Sequence, residues 1–252
     1  MANDETGLGI TVPQAPVNER PFYVVDVFAQ EKYAGNHVAV LRQARQYADG
    51  EMQAIAREMG PAAFILSDDE EDGGYPVRIF TPTKELPFSG HPTLGAAYVI
   101  QREILRRPAP TIRIALVAGS VAVRVRYRDG HPDELTMPQN PAIFGRTFEP
   151  GRIVPLLRLT GGDLDTRFPI EEVSTGLPYI VVPLRTLETL TRARALEDEC
   201  ATLFKETEAK AFALFCPETY RPERHLHVRV FASYHGVPED PGTGTANGAL
   251  GA

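Results

Sequence analysis

The sequence predicts a mixed α+β fold made of two similar halves, and three observations support this. Segments rich in β-branched and aromatic residues alternate with segments of helical periodicity, as happens where helices connect strands. A short sequence pattern in the first half of the chain recurs in the second half. The 22 prolines and 21 glycines among 252 residues imply many turns, which favours strands over a helical bundle.

The first half is predicted to contain strands and two helices. We predict strands over residues 22–29 and 37–41, because both segments are apolar and the second follows a Gly-Asn turn. Residues 51–59 are predicted to form a helix, because apolar residues recur there at i, i+3, i+4 and i+7. The other predicted elements of this half are a strand over 77–80, a helix over 93–107, and a hairpin of strands over 112–116 and 121–127.

Prolines cluster between residues 129 and 151, where we place the boundary between the halves. The first half then covers residues 21–143 and the second half residues 144–252, while the polar residues 1–20 are predicted to be a disordered tail. The predicted elements of the second half are a strand over 179–184, a helix over 188–207, and strands over 211–216 and 226–232.

The recurring pattern is the strongest sign of a duplicated domain. Val77-Arg78-Ile79-Phe80 is echoed by Val228-Arg229-Val230-Phe231. Further along, Glu85-x-Pro87-x-x-Gly90 is echoed by Glu239-x-Pro241-x-x-Gly244, and each copy precedes a segment rich in alanine and glycine. Chance matching of common residues is the alternative. Agreement in residue type, order and spacing favours two related halves with a cleft between them.

Composition excludes several function classes. A net charge of -7 argues against a nucleic-acid partner, since phosphate binding needs a positive surface. No apolar run is long enough for a signal peptide or a membrane span, so we expect a soluble cytoplasmic protein with no membrane partner. Cys200 and Cys216 are predicted to be core residues. His225 and His227 have no third ligand at a fitting spacing, so no metal site is expected.

Both copies of the repeat lead from a glycine turn into a predicted helix. Pro92 suits the first helical position, which places His91 at or beside the N-cap, and Thr245 takes the corresponding cap position in the second copy. Two helix N-termini at one cleft would attract an anion such as a small carboxylate. His91 can titrate near neutral pH, although it could instead only cap its helix. Asp240 could likewise be a simple Asp-Pro turn residue.

Four segments together carry a family resemblance. They are DVFAQEKYAGNHVAV, MQAIAREM, VRIFTPTKELPFSGHPTLGAAYVI and PEDPGTGTANGALGA. In this order they closely resemble the PhzF family of phenazine biosynthesis-like isomerases, which has the diaminopimelate epimerase-like fold. The resemblance implies two halves, each a curved sheet or barrel around a central helix, with the active site in the cleft where the two helix starts meet. It also implies no metal, no organic cofactor and a homodimer.

The resemblance further implies a reaction and its residues. Type members isomerise trans-2,3-dihydro-3-hydroxyanthranilate by moving a proton across a conjugated ring. A glutamate takes and returns the proton, while a histidine and an aspartate bind and polarise the substrate. These two residues correspond to His91 and Asp240 here, and Thr245 stands where a serine is usual. Gly90 and Gly244 would let the substrate, a small carboxylate, approach the backbone.

Two departures from the family pattern are visible. The family continues from AREM with roughly N-x-S-E-T-x-F and uses its glutamate as the proton carrier, whereas this chain continues with GPAAF. Glu58 lies in the preceding helix and cannot take that role. Family members also extend past the position of Ala252, so we expect the natural chain to contain segments that this sequence lacks.

Three functions are therefore compatible with the sequence. The first is a cofactor-independent isomerase of the PhzF type. The second is a catalytically silent carboxylate-binding homologue without the base. The third, an amino-acid racemase or epimerase, is disfavoured because the epimerases of this fold use a cysteine in each glycine motif, and neither motif here contains one. The sequence does not identify the natural substrate or link the protein to phenazine synthesis.

Overall fold

Two mixed β-sheets form the framework of the fold, which a computed structural model describes for residues 20–31, 33–235 and 238–252. The predicted α+β class is confirmed. The disordered tail predicted over residues 1–20 lies outside the described residues except for Arg20. None of the described helices is both long enough and apolar enough to cross a membrane.

The first sheet has eight strands. In chain order they are β1 (Phe22–Val27), β2 (Asn36–Leu41), β3 (Ala62–Ile65), β4 (Tyr75–Phe80), β5 (Glu85–Leu86), β6 (Thr111–Leu116), β7 (Gly119–Arg128) and β8 (His131–Thr136). Their order in the sheet is β1-β2-β3-β4-β6-β7-β8, with β5 paired to β4. Helix α1 (Asp49–Met59) covers the outer face, where Met52 and Ala56 pack against Phe64.

Helix α2 (Gly90–Val99) is enclosed by this sheet. It contacts β1, β2, β3, β4, β6 and β8, so the sheet curls around it. Its sequence, GHPTLGAAYV, has no charged residue, and all but one of its residues are buried. A helix that is apolar on every side must lie in a core. The small residue Gly95 allows it to lie directly against Val38 of β2.

The chain passes to the second sheet between Thr136 and Ile143. The strands of this sheet are β9 (Ile143–Phe148), β10 (Ile170–Ser174), β11 (Pro178–Pro183), β12 (Phe212–Cys216) and β13 (His227–Phe231), in the order β13-β12-β11-β10-β9. Its helices are α3 (Pro150–Ile153), α4 (Leu187–Arg192), α5 (Glu197–Lys205) and α6 (Gly244–Leu250). One hydrophobic core packs between this sheet and the helices α3, α4 and α5, and a separate hydrophobic core packs between the sheet and α6. The two sheets are thus arranged alike, each with a helix from a glycine motif on its inner face.

The repeated sequence forms the same structure twice. Arg78 of β4 makes a bidentate pair with Glu85, with N–O distances of 2.7 and 2.6 Å. Arg229 of β13 makes the same pair with Glu239, at 2.7 Å for both bonds. In both copies the guanidinium also lies over the phenylalanine that ends the motif. The repeat is therefore a structural duplication rather than chance.

Most predicted elements are confirmed with ends that differ by one or two residues, but the helix predicted over 188–207 is wrong. It is two helices, α4 and α5, separated by residues 193–196. The backbone N–H groups of Arg194 and Leu196 donate instead to the carbonyls of Leu157 and Leu156, at 3.1 and 2.8 Å. These tertiary hydrogen bonds replace the helical ones.

The helix predicted over 93–107 has different bounds. It begins at Gly90 and is α-helical to Val99, and a π-helical turn then runs over Ile100–Leu105. The turn closes with a hydrogen bond from the N–H of Arg106 to the carbonyl of Gln101, five residues earlier.

Strands β3, β5, β8, β9 and β10 are not predicted by the sequence. Strand β8 lies inside the proline-rich segment and contains Pro132. It is an edge strand, and Pro132 lies at a register shift, so the missing N–H breaks no essential pairing.

Candidate active site

A cavity of about 260 Å³ lies between the two halves, and all five candidate site residues from the sequence line it. Gly90 and His91 reach it from the start of α2, and Gly244 and Thr245 from the start of α6. Asp240 lies on the segment between β13 and α6. The fold thus brings the two copies of the glycine motif to opposite sides of one cavity.

The predicted capping positions of the two helices are wrong by two residues. Ser89 and Thr243 are the N-caps, both in extended conformation, so His91 and Thr245 are each the second helical residue. Pro92 is the third rather than the first, which is tolerated because no N–H of the first turn has an intrahelical partner. His91 and Thr245 occupy equivalent places in the two halves.

His91 is buried, with 8% of its surface exposed, and its Nε2 atom has no hydrogen-bond partner among the described residues. Burial lowers the pKa of His91 to about 4, and the attraction of Asp240 opposes this only in part. The neighbouring His37 lowers it further by its charge, while a hydrogen bond with the His37 backbone raises it. The imidazole is therefore neutral at pH 7, with one nitrogen free for a ligand.

Asp240 is held by residues from both halves. Asn36 Nδ2 donates to its Oδ1 at 2.8 Å, and Thr243 Oγ1 donates to its Oδ2 at 2.6 Å. Its backbone N–H donates to the carbonyl of Val230 at 3.0 Å. The carboxylate therefore has a fixed orientation at the cavity wall.

Thr245 is paired with a buried tyrosine. The hydroxyls of Thr245 and Tyr179 lie 2.6 Å apart, and Tyr179 also lines the cavity. Burial raises the pKa of Tyr179 to about 12, opposed by the Thr245 hydrogen bond and reinforced by Asp240. Tyr179 therefore remains a neutral phenol across the working pH range and can donate or accept a hydrogen bond.

The two glycines mark positions of close approach. A Cβ atom at Gly90 would lie 3.3 Å from Met137 Cε and 3.9 Å from Thr245 Cγ2. A Cβ atom at Gly244 would lie 2.9 Å from the ring of Phe28, which belongs to the first half. The contacts with Thr245 and Phe28 show that each helix start lies against a residue of the opposite half.

The loop between α1 and β3 also reaches the cavity, through Pro61. Counting back from Phe64, Pro61 stands where the family pattern has its glutamate, so this loop presents no carboxylate. The cysteines do not supply a base either. Both are buried in the core with α4 and α5, where burial raises the pKa of Cys200 to about 11, and the described part of the cavity is lined by no cysteine.

Three charged residues besides Asp240 line the cavity, namely Lys84, Glu208 and Lys210. The ammonium of Lys210 donates to the carbonyls of Phe204 and Thr207, so the protein itself already binds it. Lys84 and Glu208 are exposed.

The sequence alone did not identify these three charged residues or Tyr179 as site residues, because only the fold brings them to the cavity. Asn36 carried a signal, because it follows Gly35 in the motif GNHVAV.

The comparisons with known proteins agree with one another. Residues 25–252 match the family PhzC-PhzF, described as phenazine biosynthesis-like protein. The chain is 33% identical to an uncharacterised isomerase of Clostridium acetobutylicum and 32% identical to trans-2,3-dihydro-3-hydroxyanthranilate isomerase of Pseudomonas aeruginosa. Each match covers 91% of this chain and 77% of the relative.

Solved structures show the same relationship. A phenazine biosynthesis protein of the PhzF family from Bacillus anthracis has a TM-score of 0.83 and 29% identity, covering 91% of this chain and 78% of that protein. A hydroxyproline epimerase from Agrobacterium vitis has a TM-score of 0.55 at 14% identity, covering 86% and 73%. At that identity the epimerase shares only the fold.

Proposed function

Because the chain belongs to the PhzC-PhzF family and is an isomerase, we propose that it moves a proton on a small cyclic carboxylate of the trans-2,3-dihydro-3-hydroxyanthranilate type. The observation that carries this proposal is the buried, neutral and unpartnered Nε2 of His91, in one cavity with the oriented carboxylate of Asp240. Buried polar atoms are normally hydrogen-bonded, so the free nitrogen indicates a ligand.

The size of the cavity supports a single-ring acid. Its volume of about 260 Å³ is below the roughly 300–1,000 Å³ of pockets for drug-sized ligands. The N-terminus of α2 presents backbone N–H groups and a positive dipole end to it, and Lys84 is a cationic residue of its lining. Together these groups favour the carboxylate of the substrate.

His91 and Asp240 then act on the part of the ring that changes. When a ring proton leaves, its electron pair spreads into the conjugated system and charge develops on polar substituents. The backbone N–H groups at the start of α2 would stabilise that charge, and Nε2 of His91, the unprotonated nitrogen of its neutral ring, accepts a hydrogen bond from a polar group of the substrate. Asp240 accepts a hydrogen bond from an amino or hydroxyl group of the substrate and fixes its orientation. Thr245 and Tyr179 supply further hydroxyls at the opposite wall.

His91→Ala tests this assignment. We expect at least a roughly 100-fold loss of turnover of trans-2,3-dihydro-3-hydroxyanthranilate, the lower end of what a polarising group contributes, with an unchanged circular dichroism spectrum. The matched control is His131→Ala, at an exposed position on β8 outside the cavity. Unchanged turnover in His91→Ala would refute the role of His91.

A further inference from the structure

We propose that Glu208, on the loop before β12, is the proton carrier of this active site. The proposal rests on the proposed function and adds to it the base that the first half of the chain lacks. Glu208 lies on a loop of the second half, whereas the family pattern has its glutamate on the loop between α1 and β3 of the first half. Four observations support it. They are the duplication that relates the two loops, the place of Glu208 in the cavity lining, the anchored backbone around Glu208, and the hydrogen bonds that already hold both oxygens of Asp240.

The duplication relates the two loops that reach the cavity. Strand β3 pairs with β4 so that Ala62 faces Phe80, and β12 pairs with β13 so that Phe212 faces Phe231. Phe80 and Phe231 end the two copies of the repeated tetrapeptide. Pro61 and Ala211, which precede these strands, are therefore equivalent, and both line the cavity. The loop before β12 is thus the counterpart of the loop between α1 and β3, which contains no carboxylate.

Glu208 lies three residues before Ala211 and lines the same cavity. Its side chain is exposed and makes no hydrogen bond or ion pair with any residue that the structure describes. Of the described residues that line the cavity, only Glu208 and Asp240 carry a carboxylate. Glu208 therefore provides the carboxylate of the described cavity lining that no described residue binds.

The backbone on either side of Glu208 is fixed, although its carboxylate is free. The hydroxyl of Thr207 donates to the carbonyl of Ala209 at 2.7 Å, and the N–H of Ala209 donates to the buried carboxylate of Glu172 at 3.0 Å. The ammonium of Lys210 donates to the carbonyl of Thr207 at 2.5 Å. A glutamate on such an anchored loop can rotate about its own bonds while its Cα keeps its place at the cavity.

The other candidates for the role are less suitable. Both oxygens of Asp240 accept hydrogen bonds, so moving between two carbon atoms would break its contacts with Asn36 and Thr243. His91 lies in a helix and is buried, and its low basicity makes it a poor proton acceptor at neutral pH. These residues orient and polarise the substrate, and Glu208 moves the proton.

The proton shift balances without a co-reactant. The Glu208 carboxylate takes a proton from one ring carbon, so a C–H bond breaks, an O–H bond forms and the C–H electron pair enters the conjugated system. The double bonds relocate, and the carboxylic acid returns a proton to another ring carbon as the new C–H bond forms. Glu208 ends as the carboxylate, and the product is an isomer of the substrate with no net oxidation.

The test compares Glu208→Gln with the unaltered full chain, using trans-2,3-dihydro-3-hydroxyanthranilate as the substrate. We expect kcat to fall by roughly 10²- to 10⁴-fold, the usual contribution of a general acid–base group. The Kd of the acid by calorimetry should change less than about threefold, because its carboxylate is bound elsewhere. Glu208→Asp should recover part of the lost kcat, since it restores the acid on a shorter side chain.

The matched control is Glu58→Gln, at an exposed glutamate of α1 that does not line the cavity. It should keep the kcat of the unaltered chain. A Glu208→Gln variant with unaltered kcat would overturn the role of Glu208 and leave the isomerase proposal in place. A complete lack of turnover in the unaltered chain would overturn the isomerase proposal and this role with it.

Discussion

Asn36 of the first half donates a hydrogen bond of 2.8 Å to Asp240 of the second half. Asn36 is buried at the start of β2, and Asp240 precedes the helix that opens at Gly244. The bond therefore joins the two halves at the cavity and sets the orientation of the carboxylate there. Asn36 is a positioning residue, since it acts through Asp240.

We expect Asn36→Ala to lower kcat about tenfold and to reduce the free energy of unfolding by about 1–3 kcal/mol, the cost of leaving a buried polar partner unsatisfied. The comparison is Asn140→Ala, at an exposed asparagine. Steady-state kinetics and urea unfolding measure both effects. Wild-type kcat in Asn36→Ala would show that the bond does not position Asp240.

The buried state of His91 predicts a pH dependence of stability. Its pKa is lowered from the usual 6.5 to about 4, so between these values the unfolded chain binds a proton that the folded chain does not. Stability should therefore fall as the pH drops from about 6.5 towards 4. In His91→Gln this part of the pH dependence should be absent, as measured by urea unfolding at several pH values. Parallel curves for the two proteins would contradict the burial of a neutral imidazole.

The duplicated ion pairs predict a second pH effect, in the acid range. The hydrogen bonds from Arg229 hold the pKa of Glu239 below its usual 4.5. The pair therefore stabilises the fold above about pH 4.5, and this contribution is lost as the pH falls through the lowered pKa. Because 43% of the Glu239 side chain is exposed, we expect Glu239→Gln to cost only about 1 kcal/mol at pH 7.

The cost of Glu239→Gln should shrink when urea unfolding is repeated at pH 3. Glu223→Gln, at an exposed glutamate outside the repeat, is the control and should change little at either pH. An equal cost at pH 7 and pH 3 would show that the charge on Glu239 contributes nothing.

Close packing of α2 on the first sheet predicts a steric effect. A Cβ atom at Gly95 would lie 2.5 Å from Val38 Cγ1, and both residues are buried. We expect Gly95→Ala to destabilise the fold by about 1–3 kcal/mol, as overpacking does. Gly50→Ala, in α1 with no atom within 4 Å of its added Cβ, should instead be neutral or stabilising by about 0.5 kcal/mol.

Thermal unfolding of the two glycine variants checks this difference. Adding Val38→Ala to Gly95→Ala removes the clashing methyl group, so the double variant should recover part of the loss caused by the overlap. A Gly95→Ala protein as stable as Gly50→Ala would mean that α2 does not pack so closely.

The sequence predicts the parts of the fold that depend on local patterns. The repeat around Arg78 and Arg229, the apolar strands and the glycine motifs with His91 are all visible in it. It does not predict the break between α4 and α5, because that depends on carbonyls of Leu156 and Leu157 some 40 residues away in the chain.

The same limit applies to the cavity. Tyr179 meets Thr245, and Glu208 reaches the cavity, only because the two halves close around it. No local spacing connects these residues. The duplication relates the two loops that reach the cavity, because the loops before β3 and β12 are equivalent.

The most direct measurement follows trans-2,3-dihydro-3-hydroxyanthranilate by proton NMR in heavy water with the unaltered chain. We expect an isomer with a relocated double bond to form, with deuterium at the ring carbon that receives the proton. A Glu208 exposed to solvent exchanges its proton readily, so the label should enter. Binding of the acid, seen as line broadening, with neither isomer nor deuterium would contradict the proton shift and would describe a carboxylate-binding protein instead.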